Sequence, residues 1–122
     1  MEDLEFEISF YQRLLKENPD FIDALLALGN AYTKSGRYKD GLAVDQRLTQ
    51  LKPDEPLVHY NLACSYSLLK ESDSALEALK RTLDLGYRDL KFMEQDPDLS
   101  FIRQDPRYKE LLFKYAKKGV GK

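Results

Sequence analysis

Slid against itself by 34 residues, the chain matches at the positions that matter most for packing one helix on another. Leu14 falls on Leu48, Pro19 on Pro53 and Asp20 on Asp54; Leu28 falls on Leu62, Gly29 on Ala63 and Tyr32 on Tyr66. Gly41 falls on Ala75, Leu42 on Leu76 and Leu51 on Leu85. The matched residues are apolar, small or turn-forming, and the charged positions between them drift. A repeating unit that buries one face and solvates the other has this signature, because only the buried face constrains side-chain shape.

Each period divides into two helices. Residues 22–34 put Leu25, Leu28, Gly29 and Tyr32 on one stripe at helical spacing. Ser35-Gly36-Arg37 ends that stripe, Gly36 being suited to a left-handed C-terminal residue. A second helix runs from Tyr38 to Leu51 and stops at Lys52-Pro53-Asp54-Glu55-Pro56, since a proline disfavours helical geometry in the residue before it. The next unit repeats the plan. His59, Leu62, Ala63 and Tyr66 line its first helix, Lys70-Glu71-Ser72-Asp73 turns, and Ala75, Leu76, Leu79, Leu83 and Leu85 line its second. Ser72 or Asp73 is the expected cap of that second helix. A long coiled coil needs sustained heptads without Gly and Pro at this interval, and is set aside.

The spacing Leu25-x-x-Leu28-Gly29-x-x-Tyr32, then Gly41, then Pro53, resembles the tetratricopeptide repeat signature, and His59-x-x-Leu62-Ala63-x-x-Tyr66, then Ala75 and Leu79, repeats it. The residue types suit that architecture. Gly29/Ala63 and Gly41/Ala75 fall where the two helices of a unit cross and only small side chains permit close approach. Tyr32 and Tyr66 are expected to fill the wider gap to the following helix. Three positions depart from the family. Asp45 stands where a large apolar residue is usual, which suggests a looser or solvent-facing spot; Tyr87 stands where a proline closes a unit; His59 stands at a tryptophan-like position. The resemblance implies an all-α, right-handed superhelical solenoid of about six to eight helices in one domain over residues 1–122. Its parts are an N-terminal helix at 3–17, repeats at 22–55 and 56–89, an irregular helical unit at 90–117 and a basic tail at 118–122.

Residues 3–17 carry Leu4, Ile8, Tyr11, Leu14 and Leu15, and by the same offset resemble the second helix of a unit whose first is missing. Past Leu85 the period fails. Asp96-Pro97 and Asp105-Pro106 each place an acid before a proline, a good opening for a short helix. Short helices are expected near 88–95 and 98–103, then one over 106–117 carrying Tyr108, Leu111, Leu112 and Tyr115. Charge and cysteine usage narrow the partners. A net charge of −2 argues against general nucleic-acid binding, although residues 103–122 hold seven Lys or Arg against two acids. The single cysteine, Cys64, permits no internal disulfide, and no apolar run reaches bilayer length. With an acidic N-terminus unlike a signal peptide, these point to a cytoplasmic protein without a membrane partner.

No residue set points to chemistry. His59 is the sole histidine and reads as a packing residue; Cys64 has no companion and reads as structural. Gly119-Val120-Gly121-Lys122 mimics the end of a phosphate loop but lacks the strand, hydroxyl and helix such a loop needs. The acids of Glu94-Gln95-Asp96-Pro97-Asp98 lack calcium-loop spacing and suit helix capping instead. No metal, cofactor or catalytic site is expected. The resemblance implies instead a concave groove lined by the first helix of each unit, where a protein or peptide segment binds. Projected register places Asp23, Leu26, Asn30 and Thr33 there from the first unit, Leu57, Tyr60, Asn61 and Cys64 from the second, and Lys91 with Glu94 from the third. Tyr60 is the expected amphipathic anchor. Some family members clamp a partner's C-terminal carboxylate; Asn30, Asn61 and Lys91 match that pattern, while Leu26 and Gln95 stand where two further cations belong. Self-association through the N-terminal helix, as a homodimer or assembly scaffold, is the alternative reading.

Overall fold

Helix boundaries follow the turn chemistry of the sequence closely. The computed structural model describes residues 2–120. Seven α-helices run through them: α1 (Glu2–Glu17), α2 (Ile22–Lys34), α3 (Tyr38–Leu51), α4 (Pro56–Leu68), α5 (Ser72–Asp84), α6 (Leu90–Gln95) and α7 (Pro106–Val120). Two 3-10 turns, Pro97–Leu99 and Ile102–Gln104, separate α6 from α7. Each of the first five helices packs on its neighbour in sequence, giving the stacked helix–turn–helix pairs of an all-α repeat. The closing unit folds back, with the first 3-10 turn against α4 and α7 against α5.

The repeat extends beyond side-chain identity to individual hydrogen bonds. At the end of α2, Arg37 N donates to Tyr32 O at 2.8 Å, and 34 residues later Glu71 N donates to Tyr66 O at 2.9 Å. The left-handed residue that closes each turn is Gly36 in the first unit (φ 79°) and Lys70 in the second (φ 63°). Gln12 Nε2 donates to Tyr32 Oη at 2.9 Å, and Gln46 Nε2 donates to Tyr66 Oη at 3.2 Å. Arg47 pairs with Asp20, and Arg81 with Asp54 at 3.7 Å. Both members of each pair are 34 residues apart from their counterparts. The tyrosine hydroxyls therefore bond back to the preceding helix, α1 or α3, while Val44 of α3 joins the Tyr32 cluster and Tyr66 packs on the cluster that holds α5. Tyr32 sits with Ile8, Leu28 and Ala31 in a cluster flanked by Leu4, Tyr11 and Leu15 of α1.

Gly29 allows the close approach expected of it: a β-carbon there would lie 3.3 Å from Asp45 Oδ1 and 3.4 Å from Val44 Cγ1. Asp45 itself is buried, at 6% exposure, and not solvent-facing. Ser65 Oγ of α4 donates to its Oδ2 at 2.5 Å, which supplies the partner a carboxylate needs inside a helix interface. His59, half-buried, donates from Nε2 to the Pro53 carbonyl at 2.8 Å and so ties α4 to the turn before it.

The closing unit differs from expectation in detail. Residues 98–103 form no single helix but fall in two 3-10 turns, Pro97–Leu99 and Ile102–Gln104, the second followed by Asp105, for which Pro106 disfavours helical geometry. Asp96 caps the first turn by accepting from Asp98 N at 3.0 Å, and Asp105 accepts from Arg107 N at 3.0 Å. Neither Ser72 nor Asp73 caps α5. Ser72 is already its first helical residue behind Glu71, and Asp73 pairs with Arg107 at 2.8 Å. Helix α7 continues past 117 to Val120, so the tail expected from 118 is helical at its start. Gly121 and Lys122 lie outside the described residues. The largest core gathers here: Leu79, Leu83, Met93, Leu99 and Ile102 are fully buried together with Tyr115 and Leu112 nearby.

Candidate functional site

Helices α2 and α4 face one cavity, to which α6 contributes Phe92. It is open, with a volume of about 260 Å³. Of the residues projected into a groove, Leu26, Asn30 and Thr33 line it from α2, and Leu57, Tyr60, Asn61 and Cys64 line it from α4. The helical period accounts for this grouping: positions 26, 30 and 33 form one stripe of α2, and 57, 60, 61 and 64 form one stripe of α4.

Three projected residues lie elsewhere. Asp23 is exposed one turn before Leu26 and does not line the cavity. Lys91 is exposed on α6, and Glu94 faces a separate depression with Leu90, Tyr108 and Phe113. The third unit is irregular, so a register carried from the first two misplaces its side chains. What lines the cavity instead is Tyr87, at the end of the second unit, with Phe92, Asp96 and Asp98 of the closing unit. Asp45 and Ser65 reach the cavity from beneath.

Tyr60 is not a surface anchor. It is 5% exposed, stacks on Tyr87 with ring centroids 5.1 Å apart, and donates its hydroxyl to Asp96 Oδ2 at 2.6 Å. Burial and the hydrogen bond to Asp96 push its hydroxyl pKa far up, so it remains a neutral donor. The exposed apolar surface at the cavity is Leu57 at 55%, Phe92 at 51% and Leu26 at 37%. Cys64 is buried and its thiol is pushed far up, first by burial and then by the Asp96 charge. That is the opposite of what a nucleophilic thiol requires.

The floor carries acids. Burial raises Asp45 to about 6 from an ordinary 3.8, with the Ser65 hydrogen bond opposing the shift. Asp98 is raised too, first by burial and then by the neighbouring Asp96. Among the described residues, no Lys, Arg or His lines the cavity. The carboxylate-clamp pattern therefore loses Lys91, its one matching cation, to the outside of the site. Nor do the described residues contain a cluster of three or more groups suited to a metal ion.

Comparison with known proteins agrees with the geometry of stacked helix pairs. The tetratricopeptide repeat profile matches residues 8–63, from α1 through most of α4. Those residues are tetratricopeptide repeat sequence. Similar proteins include a chloroplastic protein of Arabidopsis thaliana, 33% identical over 87 residues that cover 69% of this chain and 26% of that protein. The peroxisomal targeting signal receptor of Komagataella phaffii is 28% identical over 111 residues, 87% of this chain and 19% of the receptor. Superkiller protein 3 of Schizosaccharomyces pombe is 31% identical over 83 residues, 68% of this chain and 6% of that protein. The chain spans about a quarter or less of the length of these curated relatives. Tetratricopeptide repeats typically serve as protein–protein interaction modules, and the match supports that coarse role. It supports no single compartment, since the relatives' names point to a chloroplast in one case and to peroxisomal targeting in another. Among the described residues, no helix is long and apolar enough to cross a membrane.

Proposed function

We propose that this protein holds a segment of a partner protein in the cavity between α2 and α4, and that it acts by binding rather than catalysis. The observation that carries this reading is a concave site whose rim exposes Leu26, Leu57 and Phe92 while amides and carboxylates line its interior. Desolvating those apolar side chains supplies affinity, and Asn30 and Asn61 offer donors and acceptors matched to a peptide backbone. Leu57→Ser combined with Asn30→Ala tests it, because both side chains are free of core packing. A partner isolated with the intact protein should lose most of its affinity for the double variant, with helical circular dichroism unchanged. Undiminished affinity would assign partner binding to another surface.

Self-association is the second reading, favoured by Phe6 and Phe10 standing 67% and 42% exposed on α1. Sedimentation over a wide concentration range separates the two. A monomer at every concentration down to low micromolar excludes an obligate homodimer.

A further inference from the structure

The cavity's charge is one-sided, and its acids are satisfied only by neutral groups. Asp45 accepts from the Ser65 hydroxyl, and Asp96 accepts from the Tyr60 hydroxyl and the Asp98 amide. Among the described residues, none donates a hydrogen bond to the Asp98 carboxylate or forms an ion pair with any of the three. Three carboxylates facing one small cavity, with no cation among the described lining residues, focus a negative potential into it. Burial is the first cause that raises the pKa of both Asp45 and Asp98, and the neighbouring Asp96 charge adds to the shift of Asp98.

We infer that the partner segment carries a lysine or arginine that enters this cavity and pairs with its carboxylates, flanked by apolar residues that cover Leu26, Leu57 and Phe92. The inference rests on the groove-binding reading and gives its occupant a chemistry. A cation desolvated there gains charge-assisted hydrogen bonds that an anionic or C-terminal carboxylate group could not make, and an acidic segment is repelled. The long aliphatic stem of either residue suits passage between the exposed leucines. Because Asp98 has no structural partner on its side chain, it is the acid most available to the ligand.

The test uses fluorescein-labelled dodecapeptide pools in a leucine-, alanine- and serine-rich background, each pool fixing one residue type at a central position. Binding to the full chain is read by anisotropy. Pools with central Lys or Arg should bind about tenfold more tightly than pools with central Ala, the worth of one charge-assisted hydrogen bond. Asp98→Asn keeps the backbone amide that Asp96 needs, and should remove most of that difference. Glu94→Gln, outside the cavity, should leave it intact, which distinguishes the site from general attraction to an acidic protein. Added salt should weaken the Lys and Arg pools selectively. Central-Ala or central-Glu pools that bind as well as central-Lys pools, and that Leu57→Ser weakens, would overturn the cationic inference and leave groove binding standing. Pools that bind equally to wild type, Leu57→Ser and Asp98→Asn, or no binding by any pool, would overturn both.

Discussion

Two junctions of this array, first unit to second and second unit to closing unit, differ in what fills one pair of equivalent positions. Where the first unit meets the second, α3 contributes Asp45 and α4 contributes Ser65, a buried carboxylate under a hydroxyl. Thirty-four residues later the equivalent positions are Leu79 and Leu99, both fully buried in the same apolar cluster. The second junction takes its stability from transfer of hydrocarbon out of water. The first keeps such a contribution from Leu48 against Val58, but gives it up at Asp45, a desolvated acid that must keep its one donor. The difference bears on the proposed binding site: the apolar pair lies against the closing unit, and the polar one opens into the cavity.

The largest expected effect falls on the apolar junction. Leu99→Ala should destabilise the domain by about 3 kcal/mol, as cavity-forming leucine truncations do, measured by urea denaturation. A loss below about 1 kcal/mol would mean the closing unit is not integral to the fold.

The polar junction should respond to pH instead. Asp45 binds its proton more tightly folded, at about 6, than at its ordinary 3.8. Its contribution to stability is thus complete below about pH 4 and is lost as pH rises through 6, up to about 3 kcal/mol for that shift. Asp45→Asn should stabilise the protein by roughly 2 kcal/mol at pH 8 and by almost nothing at pH 4, since the amide imitates the protonated acid. Equal effects at both pH values would show that Asp45 is not held as an unfavourable buried charge.

Smaller effects sharpen the comparison between units. Gly41→Ala should stabilise by about 0.5–1 kcal/mol, because Ala75 occupies the equivalent place and the nearest atoms to an added β-carbon stand 3.6 Å away. Gly29→Ala should forfeit that gain, since Asp45 is pinned by Ser65 at 3.3 Å from the new methyl group. Tyr32→Phe should cost about 1 kcal/mol through the loss of its bond from Gln12, and Tyr66→Phe less, its longer bond from Gln46 being exposed. Thermal melts of the pair suffice to rank them.

Much of the fold was legible in local pattern. Apolar stripes, the Pro53-to-Pro56 stop and Gly36 mark helices whose observed limits differ little from those expected. The stripes also placed Leu26, Asn30, Thr33, Leu57, Asn61 and Cys64 on one face. Asp96 and Asp98 were legible only as helix caps, and Tyr87 only as a missing proline. Their place in the cavity depends on how the 3-10 turns fold back on α4, which no 34-residue register describes.

The sequence by itself determined the helices, their pairing and the face on which a groove forms, because helical period and turn residues act over a few neighbouring positions. Only the tertiary structure decided what that groove contains. The Tyr60 hydroxyl became a buried brace through an acid 36 residues away, and Asp45 became tolerable inside the stack through a serine 20 residues away. A charge or hydroxyl in sequence has no fixed role; its role is set by the partner that folding brings within hydrogen-bonding distance and by the water that folding excludes.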